Sequence, residues 1–128
     1  MHTALLCVLI AGLLPYLYTG IAKVKGPRYD NRDVRSWQGR LGGLPYRANA
    51  AHLNSFESFP LFAAAVLVAL ATGADAGWVN LLAIGHVVLR LVYGAVYLMD
   101  LASLRSLVWF AALGCSVAIF VLALGAMP

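Results

Sequence analysis

The chain has 128 residues, of which 62% are hydrophobic and only 11% are charged, with a net charge of +4. In soluble proteins about a quarter of the residues are charged, and a small soluble domain must cover a large surface with polar groups. The composition therefore excludes an ordinary soluble enzyme, a nucleic-acid-binding protein and a disordered chain, and it indicates a membrane protein. The two cysteines lie far apart in apolar runs, which excludes a CxxC motif and favours packing roles.

Four apolar segments are long enough to cross a bilayer, which takes about 20 mostly apolar residues. They are predicted to span residues 4–22, 48–72, 78–99 and 106–127. The first segment lacks the basic n-region and the cleavage site of a signal peptide, so we expect it to be retained. The expected fold is all-α, a single integral membrane domain built as a four-helix bundle over the whole chain.

Basic residues are concentrated in the connection between the first two spans. Seven of the nine Lys and Arg residues lie between Lys23 and Arg47, whereas the second connection has none. By the positive-inside rule, this basic loop over residues 23–47 is cytoplasmic and both termini lie outside. Its charge is expected to face anionic membrane lipid, with no nucleic-acid partner. The loop is predicted either to be solvated or to hold a short interfacial helix around Asp33–Arg40.

Polar side chains interrupt the second and third spans. Such groups are costly in lipid, so they are expected to face the interior of the bundle and to mark a functional site. Residues three, four or seven apart share one face of a helix. The sequence therefore predicts two polar faces, with Arg47, Asn54 and Glu57 on the second span and Arg90, Tyr93 and Tyr97 on the third.

These two faces are expected to meet. Because a helix rises about 1.5 Å per residue, Glu57 and Arg90 each lie about 15 Å from the cytoplasmic end of their predicted span. An unpaired charge at that depth is costly, so the two residues are predicted to form a buried ion pair. Two interpretations remain open, namely an ion pair that holds two helices in register or a polar cavity that holds a charged ligand.

Three further polar residues lie in or beside the spans. His52 and His86 are interpreted as core residues rather than ligands, since neither belongs to a metal-binding or Ser-His-Asp pattern. Arg105 opens the fourth span, where it could either reach lipid headgroups or lie at the mouth of the polar faces. In the second role its guanidinium would stabilise a thiolate, which is the nucleophilic form of a thiol.

The polar pattern resembles that of a known family. The segment Ala51–Pro60 resembles the second-helix signature of the MAPEG family, the membrane-associated proteins in eicosanoid and glutathione metabolism: an Asn and a Glu three apart, with a Pro shortly after. An Arg and a Tyr in the third span and an Arg opening the fourth, here Arg90, Tyr97 and Arg105, resemble the rest of the pattern. The likeness covers essentially the whole chain and suggests a bacterial-type member similar to microsomal glutathione transferases.

This resemblance implies a homotrimer that binds glutathione as co-substrate between adjacent protomers, near the cytoplasmic face. Arg105 would be catalytic, since it would stabilise the glutathione thiolate. A lipophilic electrophile or a lipid hydroperoxide would enter from the bilayer, which is expected to be a bacterial inner membrane. The residues that the resemblance implies to bind glutathione are Asn54, Glu57, Arg90 and Tyr97. Arg47 and Tyr93, which lie on the same two polar faces, are expected to bind it as well.

One position departs from the family pattern, and it leaves the function open. Eukaryotic glutathione-using members place an Arg seven residues before the Glu, where this chain has Ala50, and Arg47 is the nearest substitute. Arg105 favours a glutathione-dependent transferase or peroxidase. Ala50 favours a non-catalytic protein of the same fold that binds a lipid or a partner. A small four-helix transporter that uses Glu57 for proton coupling is a more remote alternative.

Small residues in the third and fourth spans, such as Gly85, Gly94 and Gly114, would let helices approach closely. Two uses of this property are equally open. The small residues serve either contacts between protomers or packing within one protomer.

Overall fold

A computed structural model describes residues 1–127, of which 84% are helical. Four of the five helices are long and apolar enough to cross a membrane. No strand occurs between residues 1 and 127, so the prediction of an all-α membrane bundle of four helices is confirmed. The helices are α1 (His2–Lys25), α2 (Val34–Gly39), α3 (Gly43–Thr72), α4 (Ala76–Leu98) and α5 (Ala102–Gly125), of which only α2 is too short to span.

Capping residues and a glycine explain where some of the long helices begin and end. Asp75 caps α4 by accepting a hydrogen bond from the backbone N–H of Trp78 at 2.9 Å. Gly73 ends α3 in the left-handed region with φ of 70°, which glycine adopts without steric cost. α3 begins at Gly43, before residue 48, where the apolar span is predicted to start. The helix is longer than the apolar segment because backbone hydrogen bonding extends into the polar residues that precede it.

The basic loop holds the short helix α2, which is docked on the bundle. Asp33 caps α2 by accepting a hydrogen bond from the backbone N–H of Ser36 at 3.1 Å, and hydrogen bonding from Ser36 lowers the pKa of the Asp33 carboxyl. The Trp37 ring is buried against α1 and α3, and its indole N–H donates to the Pro27 carbonyl at 3.0 Å. The connection between α1 and α3 is therefore anchored at its centre.

α3 and α4 lie at the centre of the bundle, since each contacts the other and also contacts both α1 and α5. The apolar core joins all four spans. It is rich in alanine, which lets the helices approach closely. Its buried members are Ala4, Cys7 and Ala11 of α1, Phe62, Ala65, Val66 and Ala69 of α3, Val79, Ala83 and Val87 of α4, and Ile119 and Ala123 of α5, with Ala74 from the turn after α3.

A close contact between α1 and α4 lies next to the polar part of the bundle. The Tyr18 hydroxyl donates to the backbone carbonyl of Arg90 at 3.1 Å. The Tyr18 side chain lies directly against Gly94, where an added Cβ would overlap both the ring and the hydroxyl. Gly94 therefore serves packing within the chain, which is the second of the two uses considered for the small residues.

Candidate functional site

Arg90 lies at the centre of the polar residues and is only 1% exposed. Its Nη2 donates to Asn54 Oδ1 at 3.0 Å and to Ser55 Oγ at 3.3 Å. The guanidinium carbon lies 4.3 Å from the centroid of the Tyr93 ring, whose negative face attracts the cation. The structure thus brings the polar faces of α3 and α4 into contact through this one side chain.

Glu57 does not pair directly with Arg90, so the predicted buried ion pair is wrong. Glu57 is exposed, and its carboxylate accepts a hydrogen bond from Asn54 Nδ2 at 3.2 Å. Asn54 stands three residues before Glu57, and its amide lies between the two charges, with the oxygen towards Arg90 and the nitrogen towards Glu57. The two helices are therefore linked by an amide relay instead of by two touching charges.

Arg105 lies in the first turn of α5 beside the tyrosines of α4. Its guanidinium carbon is 4.3 Å from the centroid of the Tyr97 ring, and Tyr97 packs edge-on against Tyr93 with 5.6 Å between ring centroids. Within residues 1–127, no carboxylate oxygen lies within 4.0 Å of the Arg105 guanidinium. The Arg105 charge is therefore available to an anion that the chain itself does not supply.

Arg47 is held at the end of α4, away from the other predicted site residues. Its Nε donates to the Leu98 carbonyl at 3.1 Å, and its Nη1 lies 3.9 Å from a carboxylate oxygen of Asp100. A cation at this place offsets the partial negative charge of the last carbonyls of a helix. Arg47 therefore supports the turn between α4 and α5.

Two cavities share Asn54 and Trp109 as lining residues, and Arg47 lines neither of them. The first, the Arg105 cleft, is open and has a volume of about 300 Å³. The second, the His86 cavity, is a smaller and more enclosed crevice of about 120 Å³, formed by α3, α4 and α5. The Arg105 cleft is also lined by Tyr93, Arg105, Ser106 and Phe110, and the His86 cavity by Glu57, Ser58, Leu61, His86, Arg90, Ala112, Leu113 and Ser116.

His86 is 2% exposed and stacks on Phe62, with 3.9 Å between the ring centroids. Its Nδ1 lies 3.0 Å from the Ala112 carbonyl oxygen and 3.1 Å from Ser116 Oγ. A carbonyl oxygen can only accept, so we assign the proton to Nδ1, which makes Nε2 an acceptor. Within residues 1–127, this Nε2 and the Nε of Arg90 have no hydrogen-bond partner.

The contribution of α5 to the His86 cavity is not predicted from the sequence. The sequence pattern indicates a core role for His86 and gives no site role to Trp109 or Ser116. The available signal is Ser116 itself, a buried hydroxyl on a helix that is otherwise strongly apolar. Spacing along one helix cannot show that this hydroxyl meets a histidine of another helix.

Comparison with protein families agrees with these observations. The sequence model of the MAPEG family matches residues 3–125. Comparisons with curated proteins and with solved structures give no match. Members of the family commonly use glutathione, and they include transferases and peroxidases as well as non-catalytic proteins. Since the match runs from the first helix to the end of the last one, this multi-pass membrane protein belongs to the MAPEG family.

Proposed function

We propose that the protein is a membrane-embedded, glutathione-dependent transferase or peroxidase that acts on lipophilic electrophiles. The observation that supports this function is the Arg105 cleft, where a guanidinium lies over the Tyr97 ring without a carboxylate partner in the described chain. A nearby cation lowers the pKa of a thiol and so favours the nucleophilic thiolate. Arg105 is therefore the proposed catalytic residue, and its role is to hold the thiolate.

The residues around the cleft suit a tripeptide that carries two carboxylates, one ammonium and one thiol. Arg105 supplies positive charge in the cleft, and Arg90 supplies it from the adjoining His86 cavity. Glu57, at the same cavity, has an exposed carboxylate that is available to an ammonium. Arg47 is already bound to the end of α4, so we give it a supporting role instead of a direct contact. The other proposed contacts are Asn54, Tyr93 and Tyr97.

Bound glutathione supplies the thiol that adds to an electrophilic carbon or, as two molecules oxidised to the disulfide, reduces a hydroperoxide to an alcohol and water. Arg105 provides the positive charge that is proposed to stabilise the thiolate. Tyr97 presents its ring face to Arg105 and so restricts the guanidinium, while Trp109 and Phe110 give the cleft an apolar side. A lipophilic partner would lie against that apolar side.

We also propose that the protein is a homotrimer. Glu57 is exposed on α3 beside the exposed apolar side chains of Leu53, Phe56 and Leu61. A carboxylate that faces hydrocarbon is costly, so a second copy is a better cover for this face than lipid. Glutathione would then bind between adjacent copies, at the edge of each Arg105 cleft.

The proposed location is a bacterial inner membrane, with both termini outside the cytoplasm. The basic residues between Lys23 and Arg47 support this orientation by the positive-inside rule. Because four spans alternate in direction, the turn between α4 and α5 lies on the same side as the basic loop. Arg105 and its cleft would then be reached by glutathione from the cytoplasm and by the electrophile from the bilayer.

The test is glutathione binding to the detergent-purified protein, with ultraviolet difference absorbance to detect the thiolate. We expect the wild-type protein to bind glutathione and to show a thiolate band, and we expect Arg105→Ala to lose the band. Arg32→Ala is the matched control, because it removes the same charge from the exposed basic loop. An unchanged thiolate band in Arg105→Ala would exclude the role proposed for this residue.

A second function is favoured by Ala50, which stands where eukaryotic glutathione-using members of the family carry an Arg, and by the contact that keeps Arg47 at the end of α4. In that case the protein is a non-catalytic MAPEG member that binds a lipid or a partner protein. Absence of glutathione binding at millimolar concentration, together with retention of a co-purified lipid, would favour this alternative over the enzyme.

A further inference from the structure

The basic loop between α1 and α3 forms a cavity of its own. This cavity, the Arg40 pocket, is open, has a volume of about 490 Å³ and is lined by Arg28, Tyr29, Asp30, Arg32 and Arg40. We propose that it binds the phosphate group of a phosphomonoester. It shares no lining residue with the Arg105 cleft or the His86 cavity, so the inference does not depend on the proposed glutathione chemistry.

Two of the arginines stand on either side of the contact that docks α2. Arg28 follows Pro27, whose carbonyl accepts the indole N–H of Trp37 at 3.0 Å, and Arg40 is the C-cap residue of α2. The next residue, Leu41, is buried in the same cluster as Trp37. These contacts hold the backbone beside both arginines, which is why residues well separated in the sequence line one pocket.

A local turn and an aromatic ring complete the pocket. The backbone N–H of Arg32 donates to Asp30 Oδ1 at 2.9 Å, which forms an Asx turn. Tyr29 packs edge-on against Trp37 with 5.0 Å between ring centroids, and Lys23 Nζ lies 4.0 Å from the centroid of the Tyr29 ring. The turn and the ring therefore hold one wall of the pocket in place, and Lys23 adds a positive charge beside it.

The pocket carries positive charge that the loop does not neutralise. Its lining has three guanidinium groups and one carboxylate, that of Asp30. Between residues 1 and 127, no carboxylate oxygen lies within 4.0 Å of any of these guanidinium groups. The other acid of the loop, Asp33, accepts a hydrogen bond from Ser36 and does not line the pocket. The three guanidinium groups are therefore available to an anion from outside the chain.

The charge and the number of donors favour a phosphomonoester among common anions. At pH 7 such a group carries about −1.5 to −2 charges and has three terminal oxygens. Guanidinium groups bind phosphate oxygens through paired hydrogen bonds, so three arginines suit a group with three such oxygens. A phosphodiester has one terminal oxygen fewer and less charge. The net charge of the lining, three arginines against Asp30, also matches the higher charge of the monoester.

The pocket lies at the level expected for the surface of the membrane. α1 ends at Lys25, shortly before Arg28, and it is long and apolar enough to cross the hydrocarbon. A lipid with a phosphomonoester headgroup, such as phosphatidic acid, can therefore present its phosphate to the pocket while its acyl chains stay in the bilayer. A soluble phosphomonoester reaches the same open pocket from water, so the experiment distinguishes the two sources.

Three probes with related headgroups test this assignment. They are dioctanoyl phosphatidic acid, dioctanoyl phosphatidylglycerol, which is a diester with the same chains, and glycerol 3-phosphate, which has no chains. Each is titrated into the full chain in neutral detergent, and NMR of nitrogen-labelled arginine follows the Nε–H signals of Arg28, Arg32 and Arg40. We expect phosphatidic acid to bind about tenfold more tightly than phosphatidylglycerol, because only the monoester offers a third terminal oxygen.

Two loop arginines distinguish a defined pocket from general attraction by basic charge. We expect Arg40→Gln to weaken the binding of phosphatidic acid about tenfold. Arg35→Gln is the matched control, because it removes the same charge from the same loop. Arg35 does not line the pocket, and its Nη1 donates to Gln38 Oε1 at 2.9 Å. The indole N–H signal of Trp37 reports whether the loop stays docked in each variant.

A third substitution is expected to strengthen binding. Asp30→Asn removes the one negative charge of the lining and keeps an oxygen that accepts from the Arg32 N–H. We expect it to tighten the binding of phosphatidic acid by about two- to fivefold, the range for one exposed charge interaction. Loss of the fold cannot produce a gain of affinity, so this variant tests the pocket even if Arg40→Gln alters the loop.

Equal affinity for phosphatidic acid and phosphatidylglycerol would overturn the assignment, as would equal weakening by Arg40→Gln and Arg35→Gln. Either result would mean that the loop attracts anionic lipid through its total charge alone. Glycerol 3-phosphate identifies the source of the phosphate. Binding as tight as that of phosphatidic acid supports a soluble phosphomonoester, and weaker binding supports a membrane lipid, whose acyl chains then contribute to the affinity.

Discussion

At the scale of single residues, Asn54 organises the polar interior. Its amide oxygen accepts from Arg90, its amide nitrogen donates to Glu57, and its side chain lines both cavities. Only a side chain that both donates and accepts can satisfy a guanidinium on one side and a carboxylate on the other. Asn54 therefore links the buried Arg90 guanidinium to the exposed Glu57 carboxylate without direct contact between the two charges.

We expect Asn54→Ala to lower the free energy of unfolding by about 1–3 kcal/mol, because it leaves Arg90 and Glu57 each with one hydrogen bond fewer. The measurement is denaturant unfolding in detergent, followed by circular dichroism. Asn31→Ala in the exposed loop is the control, with an expected change within about 0.5 kcal/mol. Equal stability of the two variants would show that the amide relay does not support the fold.

The sequence predicts which polar residues share the site when those residues lie on the same helix. Asn54 and Glu57 share a face because a period of 3.6 residues is a property of a single helix. The contact between Glu57 and Arg90 is mispredicted because matched depth does not determine which side chain fills the space between two helices. The torsions that turn the Asn54 amide into that space depend on the packing of both helices.

At the scale of elements, the contact between α1 and α4 depends on the missing side chain of Gly94. We expect Gly94→Ala to destabilise the protein by about 1–3 kcal/mol, since its Cβ would overlap Tyr18 and force the two helices apart. Thermal unfolding in detergent measures this change. Gly20→Ala is the control, because a Cβ there meets no atom within 4 Å and should leave stability equal or slightly higher.

The docking of α2 is expected to depend on pH through Asp33. Hydrogen bonding from Ser36 lowers the pKa of the Asp33 carboxyl, so the cap stabilises α2 fully above the ordinary carboxyl pKa of about 4. This stabilisation is lost as the pH falls through the lowered pKa of the folded state. The indole N–H signal of Trp37, which is bonded to Pro27, reports the docked loop in NMR spectra.

We expect the Trp37 signal to persist at pH 5 and to weaken only at more acidic pH, and we expect Asp33→Ala to weaken it at every pH. Asp33→Asn is the control, since Asn is also a good helix cap but does not titrate. A pH dependence that remains in Asp33→Asn would assign the effect to another group.

At the scale of the whole molecule, the exposed Glu57 can be used to test whether its face of α3 is covered by a second copy or by lipid. We expect native mass spectrometry in mild detergent to show three copies. Glu57→Leu is expected to reduce the trimer fraction, because it removes a polar group that the neighbouring copy is proposed to meet. If the face instead met lipid, Glu57→Leu would raise the stability of a single copy without changing its stoichiometry.

Several properties of the whole molecule are determined by the sequence alone. The lengths of the apolar runs determine that four helices span the membrane, because hydrocarbon thickness and helix rise are constants. The composition determines that the chain is a membrane protein, since the scarcity of charged groups does not depend on conformation. The spacing within α3 determines that Asn54 and Glu57 lie on one face.

Only the tertiary structure decided which residues of different helices meet. It turned Arg47 towards Leu98, inserted Asn54 between Glu57 and Arg90, and left the Glu57 carboxylate exposed. It also brought α5 against α4, so that Ser116 meets His86 in one cavity with Arg90. The physical reason is that the rotation and shift of each helix against its neighbours depend on the packing of all four spans, which no single helix encodes.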